Sequence, residues 1–286
     1  MPSGARLVVD GCDSIPVPSV MLSGMSPLSL LRRVGARRVP LVPMTPREQM
    51  RAGSLTRRIV QLLIGLILFG VSMALLLLAG LGLEPWGVLH YGLIQHVPLS
   101  YGEMSIVVSF VVLLLWVPLR QWPGLGTILN AIIIGVAIDA TLALVSAPAG
   151  LAARIGLMLV AIIGNGIAGA LYIGSQLGPG PRDGLMTGLS HRTGRSIRLV
   201  RTLLEVSVLG VGWLLGGIFG IGTILYAVLI GPVIQFFLPL VTVRVTPPGC
   251  DATGGSRWVL PTSEDPTSDD PTSDDPTSDG DGPRAG

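Results

Sequence analysis

Charge is scarce in this chain. Only 13% of its 286 residues are Asp, Glu, Lys or Arg, whereas 49% are hydrophobic and the mean hydropathy is +0.68. A soluble domain carries about a quarter charged residues, so the deficit excludes an ordinary soluble globule and points to a membrane protein. Lysine is absent: all 19 basic residues are Arg, a bias of composition rather than of mechanism. Cysteine is nearly absent too. Cys12 and Cys250 stand one in each tail with no metal-ligand spacing around them, and in cytoplasmic tails they are expected as reduced thiols. No Walker sequence, Ser–His–Asp set or His–Glu–His pattern occurs. The chain is therefore read as a non-enzyme, with no catalytic residue, no cofactor and no metal. "GNGIAG" at Gly164–Gly169 has a dinucleotide-loop spelling but lies within an apolar span with no strand before it, so it is read as helix packing.

What charge there is falls unevenly. Residues 1–58 carry nine Arg against Asp10, Asp13 and Glu48, and residues 243–286 carry three Arg against nine acids. The basic head has no interleaved aromatics or nucleic-acid motif, so it is read as an orientation signal rather than a nucleic-acid site. Residues 1–56 are expected to be a disordered basic region. It lacks the order of a cleaved signal peptide, because its Arg cluster follows the apolar patch; Met21, Met25 and Met44 are alternative starts. Residues 244–286 are expected to be a disordered acidic tail, which from Pro261 repeats "PTSED", "PTSDD", "PTSDD" and "PTSDG", units with nothing apolar to bury.

Between the tails lie six apolar spans, at 59–82, 104–119, 123–145, 153–177, 199–219 and 221–243. A helix crosses ~30 Å of hydrocarbon with about 20 apolar residues. Arg51, Arg57 and Arg58 precede the first span, Arg120 follows the second, and Arg182, Arg192, Arg195, Arg198 and Arg201 crowd the fourth connection. The alternate connections hold no Arg, with Arg154 the exception at the edge of the fourth span. Positive charge stays inside, so both termini are expected in the cytoplasm of a bacterial inner membrane.

The spans repeat. "GLGTILNAIIIG" (Gly124–Gly135) and "GIGTILYAVLIG" (Gly220–Gly231) lie 96 residues apart and agree at eight of twelve positions. At the same offset Arg58 matches Arg154, Gly70 matches Gly166, Gly82 matches Gly178, Pro85 matches Pro181 and Gly92 matches Gly188. Residues 57–145 and 154–243 therefore read as two membrane repeats joined by an external linker at 146–153. Each also holds a Pro-led short segment, 85–97 and 181–193, about 20 Å long as a helix, too short to cross. Three crossings per unit invert the second copy. The expected fold is an all-α polytopic membrane protein: six transmembrane helices as two inverted-topology three-helix repeats, each with a short non-spanning helix. The "GxGTIL" glycines are expected to allow close helix packing.

"EPWGVLHYGL", "GPRDGLMTGL" and "RTLLEVSVLGVGWLLGG", with the paired "GIGTIL" stretch, resemble the YczE/YyaS/YitT group of bacterial integral membrane proteins, closest to its YczE-like branch. The resemblance covers about residues 57–243 and implies a multi-pass plasma-membrane protein of unsettled activity. It also implies Pro-Trp-Asp in the first short segment. Gly87 replaces that acid here, while Asp183 keeps it in the second.

Ionisable groups at membrane depth are costly and each needs a reason. Asp139 lies in the third span, and Gln235 occupies its place in the second repeat. Arg201 and Glu205, four apart, share a helix face and can pair. Glu103 and Asp139 are expected to form an outer polar layer, opposite an inner one of Arg201, Glu205 and Gln235. Trp86 and Tyr101 are expected in the headgroup belt. His90, His96 and His191 are too scattered for a metal. The leading reading is a small-solute transporter or exporter with its site between the repeats: short-helix N-termini offer N–H groups and a positive dipole end, Arg182 and Asp183 shape an inner site, and Trp86 an outer one. The other reading is a non-transporting scaffold or accessory protein that docks a cytoplasmic partner. A transporter needs a polar cavity between the repeats; a scaffold needs none. The partners expected are the lipid bilayer and an unidentified small solute, with a second copy of the chain admitted and no nucleic acid.

The acidic tail is expected to be dispensable for insertion and stability. A chain ending at Thr246 should melt with the full-length protein; a lowered melting temperature shows that the tail docks.

Overall fold

The structure is a computed structural model that describes residues 49–50 and 53–243. Of the two tails expected to be disordered, residues 1–48, 51–52 and 244–286, with Cys12 and Cys250, lie outside the described residues; Leu55 and Thr56, expected in the basic head, instead open the first helix. Eight helices are described in full: α1 (Leu55–Ala79), α2 (Pro85–Ile94), α3 (Tyr101–Leu119), α4 (Leu125–Leu144), α5 (Leu151–Gly174), α6 (Pro181–Thr193), α7 (Ile197–Leu214) and α8 (Ile221–Val241). Five of them, α1, α3, α4, α5 and α8, are long and apolar enough to cross a membrane. The sixth expected crossing corresponds to α7, whose first turns carry Arg198, Arg201 and Glu205; these charges set it apart from the other five. α2 and α6, with 10 and 13 residues, are about 15 and 20 Å long.

α1 and α5 pack together at the centre around Leu62, Leu66, Met73, Met158 and Ile162. α4 lies against α1, and α8 against α5. The short helices cross over: α2 packs on α7, and α6 on α3. The outer faces are apolar and exposed, as with Leu114, Val117, Leu144 and Leu214, a surface suited to lipid rather than water. Trp122 and Trp213, exposed by 83% and 62%, stand near helix ends, where interfacial aromatics belong.

Contacts recur at the 96-residue spacing. The Gly126 N–H donates to the Leu177 carbonyl at 2.9 Å, and the Gly222 N–H donates to the Leu81 carbonyl at 2.9 Å. Each acceptor precedes a glycine in a left-handed conformation, Gly178 (φ 118°) and Gly82 (φ 126°), where any side chain is strained. The "GxGTIL" glycines thus meet the backbone turn of the opposite half, and not another helix as the sequence suggested. Thr127 and Thr223 complete the start of α4 and α8 by accepting from the Gly124 and Gly220 N–H groups at 3.2 and 3.4 Å.

Arg58 is fully buried. It donates to the carbonyls of Ser175 at 2.8 Å, Gln176 at 2.6 Å and Gln49 at 2.7 Å. A cation on the last carbonyls of α5 complements that helix end. This arginine, counted among the flanking charges in the sequence, is a staple between the start of α1 and the end of α5. Its match, Arg154, donates to the Pro148 carbonyl at 3.1 Å.

In a second apolar cluster, Trp116 of α3 packs with Leu185 of α6. Its indole N–H donates to the Pro181 carbonyl at 3.0 Å, and its ring fills the place a Cβ on Gly184 would take. At the matching positions Gly212 of α7 lies against the Val88–Leu89 backbone of α2. Gly184→Val should cost about 1–3 kcal/mol by overpacking. Adding Trp116→Gly, which copies the Gly212–Val88 pair, should recover part of it. The check is thermal unfolding of both variants in detergent; a double variant no more stable than Gly184→Val shows that the two sites are independent.

Candidate functional site

The N-terminal turns of α2 and α6 meet. Proline at the first position of each helix, Pro85 and Pro181, has no N–H to leave unpaired and is set for a helix start. The first-turn N–H groups that follow have no partner within their helix. Between the two turns lies a cavity of about 320 Å³, walled by both turns and by side chains of α3, α5, α7 and α8. Arg182 lies over the Trp86 ring, its guanidinium carbon 5.1 Å from the ring centroid. The two are 96 residues apart.

The other walls are polar where they need to be. The Arg201 Nε donates to Glu205 Oε1 at 2.9 Å, so the pair expected from the spacing forms. Ser105 and Ser109, at the matching places in the first half, line the cavity too. The Tyr172 hydroxyl donates to the Asp183 carboxylate. Tyr226 donates to Asn165 Oδ1 at 2.8 Å, and Asn165 Nδ2 donates to Ser72 Oγ at 2.9 Å. The cavity therefore presents anion-directed groups, Arg182 and two helix N-termini, beside the acids Asp183 and Glu205. That mixture suits a small polar solute with an anionic group.

Five of the eight residues expected at a site, Trp86, Arg182, Asp183, Arg201 and Glu205, line this one cavity. The sequence reading had put them in an inner and an outer site; both short helices reach inward, so the two merge. Trp86 and Tyr101 are buried rather than in a headgroup belt, because α2 and the start of α3 fold into the protein. Asp139, Glu103 and Gln235 are not on the cavity. Asp139 accepts from the Gly102 N–H at 2.8 Å and the Ser100 hydroxyl at 2.5 Å. Glu103 accepts from the Ser100 N–H at 2.8 Å, while Ser100 Oγ accepts from the Glu103 N–H at 3.0 Å. The expected outer polar layer is a cap on α3. Gln235 is exposed on α8.

Sequence reasoning passed over Glu84. It sits just before Pro85 in a connection read as external, yet it is only 2% exposed and lines the cavity. Burial pushes its carboxyl up to about 7, while the Arg182 charge and the backbone N–H groups of Glu84 and Gly87 pull the other way. An acid beside the proline that opens a short helix was the available signal. Tyr172, Tyr226 and Asn165 carried none, since each reads as one polar group in an apolar helix.

The chain matches a family of unknown function, DUF6198, over residues 56–239. An uncharacterized protein of Haemophilus influenzae is 41% identical over 204 residues, 70% of this chain and 94% of that protein. The uncharacterized membrane protein YczE of Bacillus subtilis is 36% identical over 178 residues, 61% of this chain and 82% of its own. The uncharacterized protein YyaS of the same organism is 27% identical over 182 residues, covering 62% and 90%. No solved structure matches the chain.

Asp139→Ala should destabilise by about 1–2 kcal/mol through loss of the α3 cap. Asp139→Asn keeps an acceptor for the Gly102 N–H and should lose less than half of that. Melting temperatures in detergent decide it; equal losses for Ala and Asn show that the charge, not the cap, matters.

Proposed function

We propose that this chain, which belongs to the DUF6198 family of unknown function and is a membrane protein, is a transporter or exporter of a small polar or anionic solute. The observation that carries the reading is the polar cavity where the N-terminal turns of α2 and α6 meet. Short helices that stop inside a membrane protein, with their N-termini on a shared cavity, are the arrangement in which transporters hold anionic groups. A scaffold has no use for such a cavity, so the accessory-protein reading is the weaker one.

Transport requires the cavity to open alternately to the two sides, and an inverted repeat supplies that symmetry. In this reading α7 is the sixth crossing; its 18 residues span about 27 Å. α1 to α4 form one repeat and α5 to α8 the other, of opposite orientation, in a bacterial inner membrane with both termini in the cytoplasm. The matched hydrogen bonds of Gly126 and Gly222, and the stacking of Arg182 on Trp86, support a pseudo-two-fold axis through the cavity. Arg182 binds the anionic group, the first-turn amides of α2 and α6 add to it, and Asp183 and Glu205 orient the rest of the solute.

Two measurements test this. Purified protein in liposomes, offered a broad metabolite mixture, should accumulate a polar or anionic solute, and Arg182→Gln should reduce that uptake at least about tenfold. No uptake of any component at normal reconstitution removes the transporter reading. Single cysteines at Ser146 and Thr193, with Cys12 and Cys250 replaced by Ser, should react with an impermeant reagent from opposite sides. Labelling from one side contradicts the inverted repeat.

A further inference from the structure

Four buried side chains beside the cavity have polar atoms without a hydrogen-bond partner among the described residues. They are the carboxylate of Glu84, which no side chain meets and only the backbone N–H groups of Glu84 and Gly87 approach, the indole nitrogen of Trp86, both ring nitrogens of His90 and the hydroxyl of Tyr101. These groups form one cluster. The His90 and Tyr101 rings meet edge to face with centroids 6.0 Å apart. A Cβ on Gly87 would fall 2.5 Å from Glu84 Oε2 and 2.6 Å from the Tyr101 hydroxyl. The absent side chain at 87 is thus the space into which the carboxylate and the phenol both point. In the second half that place is held by Asp183, which Tyr172 satisfies. Buried polar groups are nearly always paired, and a group left over calls for a reason.

We propose that Glu84 is a proton-binding site in the cavity wall, and that its proton is linked through Arg182 to an anionic group of the solute. The link to a solute rests on the transporter reading; the proton site stands on the geometry of the cluster. A hard metal cation takes six or more oxygen ligands, and the cluster offers one carboxylate and one phenol. A carboxylate buried in this way takes up a proton instead of remaining charged. Its elevated affinity for a proton, with burial as the largest cause, agrees.

The charges facing Glu84 are few. His90 stands on α2 itself, Tyr101 on α3, Tyr172 on α5, Arg182 and Asp183 on α6, Arg201 and Glu205 on α7, and Tyr226 on α8. Asp183 is held by Tyr172 and Arg201 by Glu205. Arg182 has no ion-pair partner among the described residues and instead stacks on Trp86. Its charge favours the ionised form of Glu84. When a carboxylate or phosphate group binds Arg182, that charge is cancelled, and the Glu84 carboxylate takes one proton from water to become the acid. By reciprocity a proton on Glu84 strengthens binding of the anion. Proton and anion then move as a neutral pair.

The experiment follows the infrared carboxyl band of the full chain in liposomes from about pH 5 to about pH 9. In the wild type a protonated-carboxyl band should fade with a midpoint near neutrality. The band should be missing in Glu84→Gln, and its midpoint should rise by about one unit in Arg182→Gln. Tyr101→Phe, which removes only the facing hydroxyl, should shift the band and serves if Glu84→Gln does not accumulate. A band retained in Glu84→Gln, or one that neither Arg182→Gln nor Tyr101→Phe moves, overturns the proton site. Inorganic phosphate and succinate at millimolar concentration are the anion probes. Either should raise the midpoint in the wild type and not in Arg182→Gln; a midpoint moved by neither overturns the linkage. A midpoint that follows the phosphatidylglycerol content of the vesicles assigns the anion to lipid and overturns the solute link. An intact titration with no uptake in the flux assay overturns the transporter reading and leaves the proton site.

Discussion

A backbone that stops part-way across a bilayer leaves amides and carbonyls with no water to meet, so the protein must supply their partners. This constraint governs the structure. α2 and α6 are too short to cross, and each starts among protein atoms, at the buried Pro85 and Pro181. Their entry turns are held from the opposite half: the Leu81 carbonyl accepts from Gly222, and the Leu177 carbonyl accepts from Gly126. Arg58 gathers the loose carbonyls at the end of α5. The N-terminal turns of the two short helices face the cavity.

Five of the helices were legible because hydropathy reports directly on segments long and apolar enough to cross lipid. The matched segments were legible because Gly, Pro and Arg at one constant offset do not recur by apolar composition alone. Burial within connections was not legible. Trp86, Tyr101 and Glu84 lie in or beside a stretch too short to cross and free of Arg, which reads as an outward connection, and the inward fold of α2 takes them from water. Asp139 stood out as a lone acid in an apolar helix. Its partners are the Gly102 amide and Ser100 hydroxyl of another helix, and no spacing within its own segment reveals them. The cavity itself was half legible: five of its residues were singled out, but their convergence depends on how far α2 and α6 reach inward.

The two halves share contacts at matched positions and differ in chemistry. Where the first presents Ser105 and Ser109 to the cavity, the second presents Arg201 and Glu205. Where the second has Asp183 on the first turn of α6, the first has Gly87 on α2, and its acid comes from Glu84 just before the helix. One acid is satisfied by a tyrosine of its own half; the other faces a tyrosine without bonding to it. Matched backbone contacts thus surround an asymmetric set of charges. Charge is concentrated on the wall built by the second half, and groups without partners on the wall built by the first.

The indole of Trp116 against Gly184 bears on which stretches of the chain can pack together. Matching positions carry the reverse sizes: Val88 stands where Gly184 does, and Gly212 where Trp116 does. A pair of identical first halves would set Trp116 against Val88, where the ring has no room. A pair of identical second halves would set Gly212 against Gly184 and leave a gap. The large residue and the glycine fit because each faces its unlike counterpart. The size of one side chain thus decides which stretch of the chain each short helix can seat against.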